Sequence, residues 1–382
     1  MCFRARPVSI EHFKAPQGAI IIETKDQTKV VNADGPSPSV GHSWQGRNPC
    51  TLKKHPIKTS LLILCIFLLL GYEMWIHFSP IPTSGWNIVN LKRINVSDRN
   101  HFSFAVFGDN RGSKYAFENL LKLIDHDQDI TFGIDLGNMV SSGKVQRYDY
   151  LLKQVKNNLA LPLLTAIGNH ELYGKGRELY CEIFGPAYYS FQVGKNYFMV
   201  LDDADGKGLG REQRLWLEKE LEKSLKYKTR IIFMHVPLND PRGTSYHHCL
   251  AEESADDLIN LFLRYRVTHV FASHIHGHFE GNLKGIPYTI TGWSGLSLAG
   301  DRPDHSFFHF LKVRIKNGGV DVSVRNVLSP AYEKAGLLSY MASVYICDFL
   351  KFYGIETVLL LIAGGLVLTI YRSESRRRYP AV

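Results

Sequence analysis

Five times between residues 102 and 276 a short apolar run stops on a polar motif, and in between lie stretches of helical character. Residues 102–107 lead into Gly108-Asp109-Asn110-Arg111, and 130–136 into Gly137-Asn138-Met139. Residues 163–167 lead into Gly168-Asn169-His170-Glu171, 230–234 into His235-Val236-Pro237, and 267–272 into Ser273-His274-Ile275-His276. The stretches 115–125, 148–159, 211–224 and 255–265 read as helices. Strands alternating with helices predict an α/β sheet, and such sheets place ligands at the carboxyl ends of their strands. Residues 188–193 and 197–201, split by Gly194-Lys195-Asn196, predict a hairpin. Residues 287–291 and 307–315 predict two further strands.

Two other segments are too apolar for loops, residues 61–78 and 355–371. Each approaches the length of a membrane-spanning helix, about 17–25 residues. Lys53, Lys54 and Lys58 precede the first and Arg376, Arg377 and Arg378 follow the second. Positive flanks stay in the cytoplasm, so both termini are expected inside and the intervening segment outside. The expected organisation is a cytoplasmic tail (1–58), a transmembrane helix (59–79), an external domain (84–338), a second transmembrane helix (353–371) and a short cytoplasmic tail (372–382). Residues 340–352 read as an amphipathic or re-entrant lead-in to the second helix.

The formal net charge is +9, but many of the cations flank the two apolar runs. That distribution reads as topology and not as a nucleic-acid footprint, since no basic stripe interleaves with aromatics. Of six cysteines, only Cys181 and Cys249 fall in the external segment. They are either a disulfide, as an oxidising compartment permits, or two separate thiols.

The side chains at the five strand ends are Asp109, Asn138, Asn169 with His170, His235, and His274 with His276. Carboxylate, carboxamide and imidazole together suit a borderline divalent metal such as Mn, Fe or Zn. In order and spacing these blocks resemble the signature of the calcineurin-like metallophosphoesterases, with Gly168-Asn169-His170-Glu171 and His274-Ile275-His276 the most specific pieces. Gln213, Trp216-Leu217-Glu218 and Gly285, Pro287, Thr291-Gly292 fit as well. The resemblance implies a two-sheet β-sandwich flanked by helices. It also implies two divalent cations, about 3.5 Å apart, sharing a hydroxide that attacks a phosphate mono- or diester. It would place Asp109 and His276 on one cation and Asn169, His235 and His274 on the other. Position 138 would bridge them, and His170 would stand beside the leaving oxygen.

Two positions depart from the family pattern. Arg111 stands where His is frequent; a guanidinium cannot ligate a cation but can clamp a phosphate oxygen. Asn138 stands where a bridging Asp is usual, and a carboxamide offers one oxygen and a non-ligating NH₂. Two readings follow, a membrane-tethered metallophosphoesterase and a degenerate, non-catalytic binding or sensing module. The tether makes lipid-linked or cell-envelope phosphate esters the expected substrates. Lesser candidates are a zinc site at His247, His248 and Cys249, a supporting or substrate-facing His278, and Asp202-Asp203 as hairpin end or ligand-orienting pair. Asn95-Val96-Ser97 is a glycosylation sequon.

Overall fold

The computed structural model describes residues 55–243, 248–292, 305, 307–328, 346 and 348–378. Among these, one compact unit spans 65–363 and a second holds 55–64 with 364–378. The chain order begins with α1 (Pro56–His77), α2 (Trp86–Arg93), β1 (His101–Phe107), α3 (Lys114–His126), β2 (Ile130–Asp135), α4 (Val145–Asn158) and β3 (Leu163–Thr165). A 3₁₀ turn (Asn169–Leu172), α5 (Gly176–Phe184), β4 (Tyr189–Val193), β5 (Asn196–Val200), α6 (Arg211–Ser224) and β6 (Thr229–Phe233) follow. Then come α7 (Glu252–Arg264), β7 (His269–Leu283), β8 (Ile286–Gly292), β9 (His309–Lys316), β10 (Gly319–Asn326) and α8 (Asp348–Arg378).

The strands form two mixed five-stranded sheets, ordered β10-β9-β1-β2-β3 and β4-β5-β6-β7-β8. Their inner faces meet over aromatics: Phe104 stacks on Phe132 at 5.1 Å and meets Phe198, Phe233 and Phe271 edge-on. All five rings are fully buried. Burying one such side chain stabilises the fold by about 1.5–3 kcal/mol, so this layer fixes how the two sheets face each other. Helices α3, α4 and α5 cover the outer face of the first sheet, and α6 and α7 that of the second. In α3 the buried Phe117, Leu120, Leu121 and Ile124 recur at helical spacing, which is why that stretch folds as a helix with one apolar face.

The expected α/β architecture is present, with three helix or strand elements the sequence reading passed over: α2, α5 and β10. The last of the five motif-bearing strands also runs further. Instead of ending at residue 272, β7 continues to Leu283 through an irregularity between Ala272 and His276. That bulge, with His274 at φ 65°, hides the continuation from a period-two pattern. Cys181 and Cys249 are thiols and not halves of a disulfide. Of the expected lead-in at 340–352, residues 340–345 and 347 lie outside the described residues and 348–352 are the start of α8; the N-terminal tail up to residue 54 lies outside them as well.

Two helical segments, Pro56–Trp75 and Phe352–Ser373, are long and apolar enough to cross a membrane, and they are almost unburied. Within the second unit His55 Nε2 and Ser373 Oγ are 2.8 Å apart, so the start of α1 and the end of α8 meet.

Candidate metal centre

The strand pairs β1–β2–β3 and β5–β6–β7 are parallel, so their carboxyl ends lie on one edge of each sheet. Every candidate residue sits on a loop or bulge at those ends. The loops approach each other closely because glycines let them. A Cβ on Gly168 would lie 2.4 Å from the Asn138 backbone nitrogen, and one on Gly108 would lie 2.3 Å from Ser273 Oγ. Of the seven non-glycine residues with positive φ among the described residues, four belong here: Asp109, Arg111, Asn138 and His274. Backbone bonds Asp109 N–H to Gly137 O and Arg111 N–H to Asn138 O hold the first two turns. Such residues persist only where surrounding contacts over-determine them.

A buried carboxylate scaffold lies under the loops. Glu171 accepts the N–H groups of Asn138 (2.8 Å), Gly168 (2.8 Å) and Val140 (3.0 Å). Burial raises its pKa to about 7 despite those bonds. Asp135 accepts from Asn110 Nδ2 at 2.6 Å and Gly137 N at 3.2 Å, and burial, with Glu171 nearby, raises it well above the usual carboxylate range. Asp135 is committed to the scaffold and cannot take over from position 138.

Asp109 is buried at the heart of the site. Its Oδ2 accepts from Ser273 Oγ (2.5 Å) and His274 N (2.7 Å), and its Oδ1 accepts from Asn138 Nδ2 (2.7 Å). His276 Nε2 lies 3.6 Å from Oδ1. Burial pushes the carboxyl up, but the neighbouring His276, His235 and Ser273 outweigh it and hold the group well below its ordinary value.

Asn138 settles which way its amide points. The His170 N–H donates to Asn138 Oδ1 at 2.9 Å, so the NH₂ must face Asp109 Oδ1 at 2.7 Å and Asn169 Oδ1 at 3.0 Å. A flipped amide would set donor against donor and oxygen against oxygen. The NH₂ therefore occupies the direction in which a bridging carboxylate would present an oxygen.

The other side of the site has the opposite character. His235 Nδ1–H donates to Leu136 O at 2.8 Å, and burial lowers the pKa of the ring, so Nε2 carries a lone pair. That lone pair faces Asn169 Oδ1 at 3.0 Å, acceptor against acceptor. The His274 ring stands 5.1 Å from the His235 ring, with Nδ1 buried and unpartnered and its pKa lowered, chiefly by burial, to about 3. An acceptor pair facing each other in this way, with Asn169 Oδ1 receiving only the Asn138 NH₂ on its other side, fits a cation between Asn169 and His235. Among the described residues no three His, Cys, Asp or Glu side chains by themselves make a cation site; the Asn169 carboxamide oxygen, 3.0 Å from His235 Nε2, is the further candidate ligand. The donor set thus fits a divalent cation at Asn169, His235 and His274, while Asn138 withholds the bridge to a second.

Of the remaining candidates, His170 donates Nδ1–H to Ser141 O at 3.1 Å, and burial and Arg111 lower its pKa. Arg111 has a buried, unpartnered Nε. Asp203 is fully buried and accepts the N–H groups of His235 (2.8 Å) and Val236 (2.9 Å), so it positions the ligand loop and does more than end a hairpin. Asp202 pairs with Arg177 instead. His248, expected beside a separate zinc site, brings its ring 5.7 Å from that of His274. His247 lies outside the described residues. His278 accepts at its backbone oxygen from His305 and packs on His309 at 5.6 Å.

A family model described as calcineurin-like phosphoesterase matches residues 102–278, the stretch that carries every site residue above. The human serine/threonine-protein phosphatase CPPED1 is 26% identical over 157 residues, 37% of this chain and 50% of that protein. An onion (Allium cepa) phosphoenolpyruvate phosphatase is 26% identical over 220 residues, covering 50% of this chain and 44% of that protein. Arabidopsis thaliana Fe(3+)-Zn(2+) purple acid phosphatase 12 is 30% identical over 108 residues, 28% of this chain and 23% of its own. The chain thus spans about half or less of the length of these curated relatives. Among solved structures, the purple acid phosphatase PPD1 of yellow lupin (Lupinus luteus) aligns with a TM-score of 0.48 at 21% identity, over 59% of this chain and 51% of that one.

Proposed function

We propose that the chain is a metal-dependent hydrolase of phosphate mono- or diesters, a reading supported by the match of residues 102–278 to the calcineurin-like phosphoesterase model. The observation that carries this reading is His235 Nε2 facing Asn169 Oδ1 at 3.0 Å, acceptor against acceptor, with the buried His274 ring 5.1 Å from the His235 ring and the Asp109 carboxylate buried beside them. A divalent ion of the Mn, Fe or Zn kind held there supplies Lewis-acid polarisation of a phosphoryl oxygen. The chain's own groups do the rest. Arg111 offers a guanidinium to the phosphate oxygens, the group best shaped for bidentate phosphate binding. His170, with Nδ1–H fixed on Ser141 O, turns Nε2 to proton transfer at the ester oxygen. Asp109 holds negative charge at neutral pH and, through Ser273 Oγ and His274 N, ties the two halves of the site together.

The reading includes a topology. Residues 59–79 and 353–371 cross the cytoplasmic membrane, both termini are cytoplasmic, and the 84–338 domain lies outside. It is supported by the basic flanks and by the meeting of His55 with Ser373, which puts the terminal, cytoplasmic ends of the two helices together. It makes envelope phosphate esters the substrates in reach. A second reading, a phosphate-binding module without turnover, is favoured by the Asn138 NH₂ alone.

Turnover of an aryl phosphate by the detergent-solubilised full chain, with and without a chelator and added Mn²⁺, tests the proposal. Activity that chelation abolishes, and that His170→Ala lowers about 10²–10⁴-fold, is the expected result. Activity indifferent to both would overturn the assignment. Cation and phosphate binding without turnover would select the second reading.

A further inference from the structure

The helical segment Phe352–Ser373 is long and apolar enough to span a bilayer, and its first residues are engaged with the phosphoesterase fold. Phe352 meets Tyr150 of α4 edge-on at 6.2 Å, and the Arg147 guanidinium lies 4.3 Å from the Phe352 ring. Tyr353 receives Lys144 at 4.7 Å and Arg147 at 5.9 Å. All these residues lie within the 65–363 unit.

Helix α4 is no neutral partner. It begins directly after the loop that carries Asn138, and Ser141 of that loop fixes His170. Tyr150 also stands 4.0 Å from where a Cβ on Gly112 would sit, next to Arg111. The loop around Gly143 in turn abuts the backbone of Tyr173, whose ring is 5.6 Å from that of His170 and 58% exposed. Aromatics and basic side chains at the end of an apolar helix mark the depth of lipid headgroups. Here they also touch two of the loops that build the site.

We propose that Phe352 and Tyr353 latch the head of α8 onto Lys144, Arg147 and Tyr150, and so hold the mouth of the site against the bilayer surface. The substrate class is then an amphipathic phosphate ester anchored in the membrane, met from the headgroup side with Tyr173 on the rim. This rests on the hydrolase reading above for its chemistry, but not for its geometry. Arg147 is buried against the latch, and the exposed Lys144 gives it the positive charge that an anionic lipid surface attracts.

The test uses the full chain in phosphatidylcholine vesicles containing phosphatidic acid, with p-nitrophenyl phosphate as the soluble comparison. In the Phe352→Ala/Tyr353→Ala double variant, phosphatidate turnover is expected to fall at least tenfold while aryl phosphate turnover stays within twofold. Equal loss on both substrates, or no loss on either, overturns the proposal. A second readout needs no activity: a fluorophore on a Tyr173→Cys variant, quenched by nitroxide-labelled lipid, should lose its quenching in the double variant. Quenching absent from the start, or unchanged by the double substitution, also overturns it. Absence of all turnover with quenching intact would refute the hydrolase reading and leave the latch standing.

Discussion

The two sheets contribute to one site in opposite ways. The loops after β1, β2 and β3 bring one carboxylate, two carboxamides, a guanidinium and an imidazole. Their bonds are mostly made: Asp109 accepts three donors, and the Asn138 amide is spent on His170, Asp109 and Asn169. The second sheet brings His235, His274 and His276, and the first two are neutral because burial penalises their charge. The second-sheet side has kept ring nitrogens that suit the proposed cation. The first-sheet side has satisfied much of its bonding internally. The match of residues 102–278 to the calcineurin-like phosphoesterase model therefore leaves the number of cations to the hydrogen bonds of one amide.

The largest effect is expected from Asp109→Asn. It removes the one buried carboxylate facing both halves and replaces an acceptor of Ser273 Oγ or His274 N with an NH₂. Turnover should fall by at least ~100-fold, measured as kcat/KM on an aryl phosphate. A loss under tenfold would mean that the first-sheet side contributes little, and the contrast would widen into true redundancy.

A smaller effect is expected from Asp203→Asn on the other side. One carboxylate accepts two N–H groups there, and an amide accepts with a single oxygen. A buried N–H left unpaired costs about 1–3 kcal/mol. Cation affinity should drop about 10–100-fold, since His235 loses its fixed orientation. Titration calorimetry with Mn²⁺ reads this directly, and unchanged affinity would show that the β6 loop holds its shape unaided.

The smallest effect concerns pH and stability. His269 is buried behind the site in the second sheet, and burial lowers its pKa from 6.5 to about 4. The folded chain refuses a proton that the unfolded chain accepts. Its contribution is therefore intact above about pH 6.5 and lost as pH falls towards 4, by about 3 kcal/mol. Glu171 and Asp203, both raised to about 7, act in the opposite sense: their folded forms keep a proton, so stability gains as pH falls through 7. His269→Gln should thus show a shallower loss of thermal stability from pH 7 to 4.5 than the native chain. Parallel curves would break the assignment of acid sensitivity to the second sheet.

Much of this was legible in the residues. Five apolar runs ending on polar motifs named the strands that position the site, because a strand's carboxyl end is where side chains leave the sheet. The Asn138 departure was legible as well, but the direction of its amide was not, since that depends on the His170 N–H three-dimensionally close but 32 residues away. For Asp203 the residues leave two readings open, hairpin end or ligand-orienting group, because a carboxylate that caps two backbone N–H groups looks, in sequence, like the end of a hairpin. His248 escaped because only the path of its loop, and no local pattern, sets it beside His274. For β10 the signal was present, Val320, Val322 and Val324 alternating after Gly318-Gly319. The phenylalanines of β1, β2, β5, β6 and β7 announced burial without telling which face met which.

The most direct test of the central claim is the cation stoichiometry of the purified full chain, by elemental analysis after dialysis against metal-free buffer, beside Asn138→Asp. The account predicts one cation per chain in the native protein and two in the variant, where the carboxylate restores the bridge. Two cations in the native protein, or an unchanged count in the variant, would contradict it.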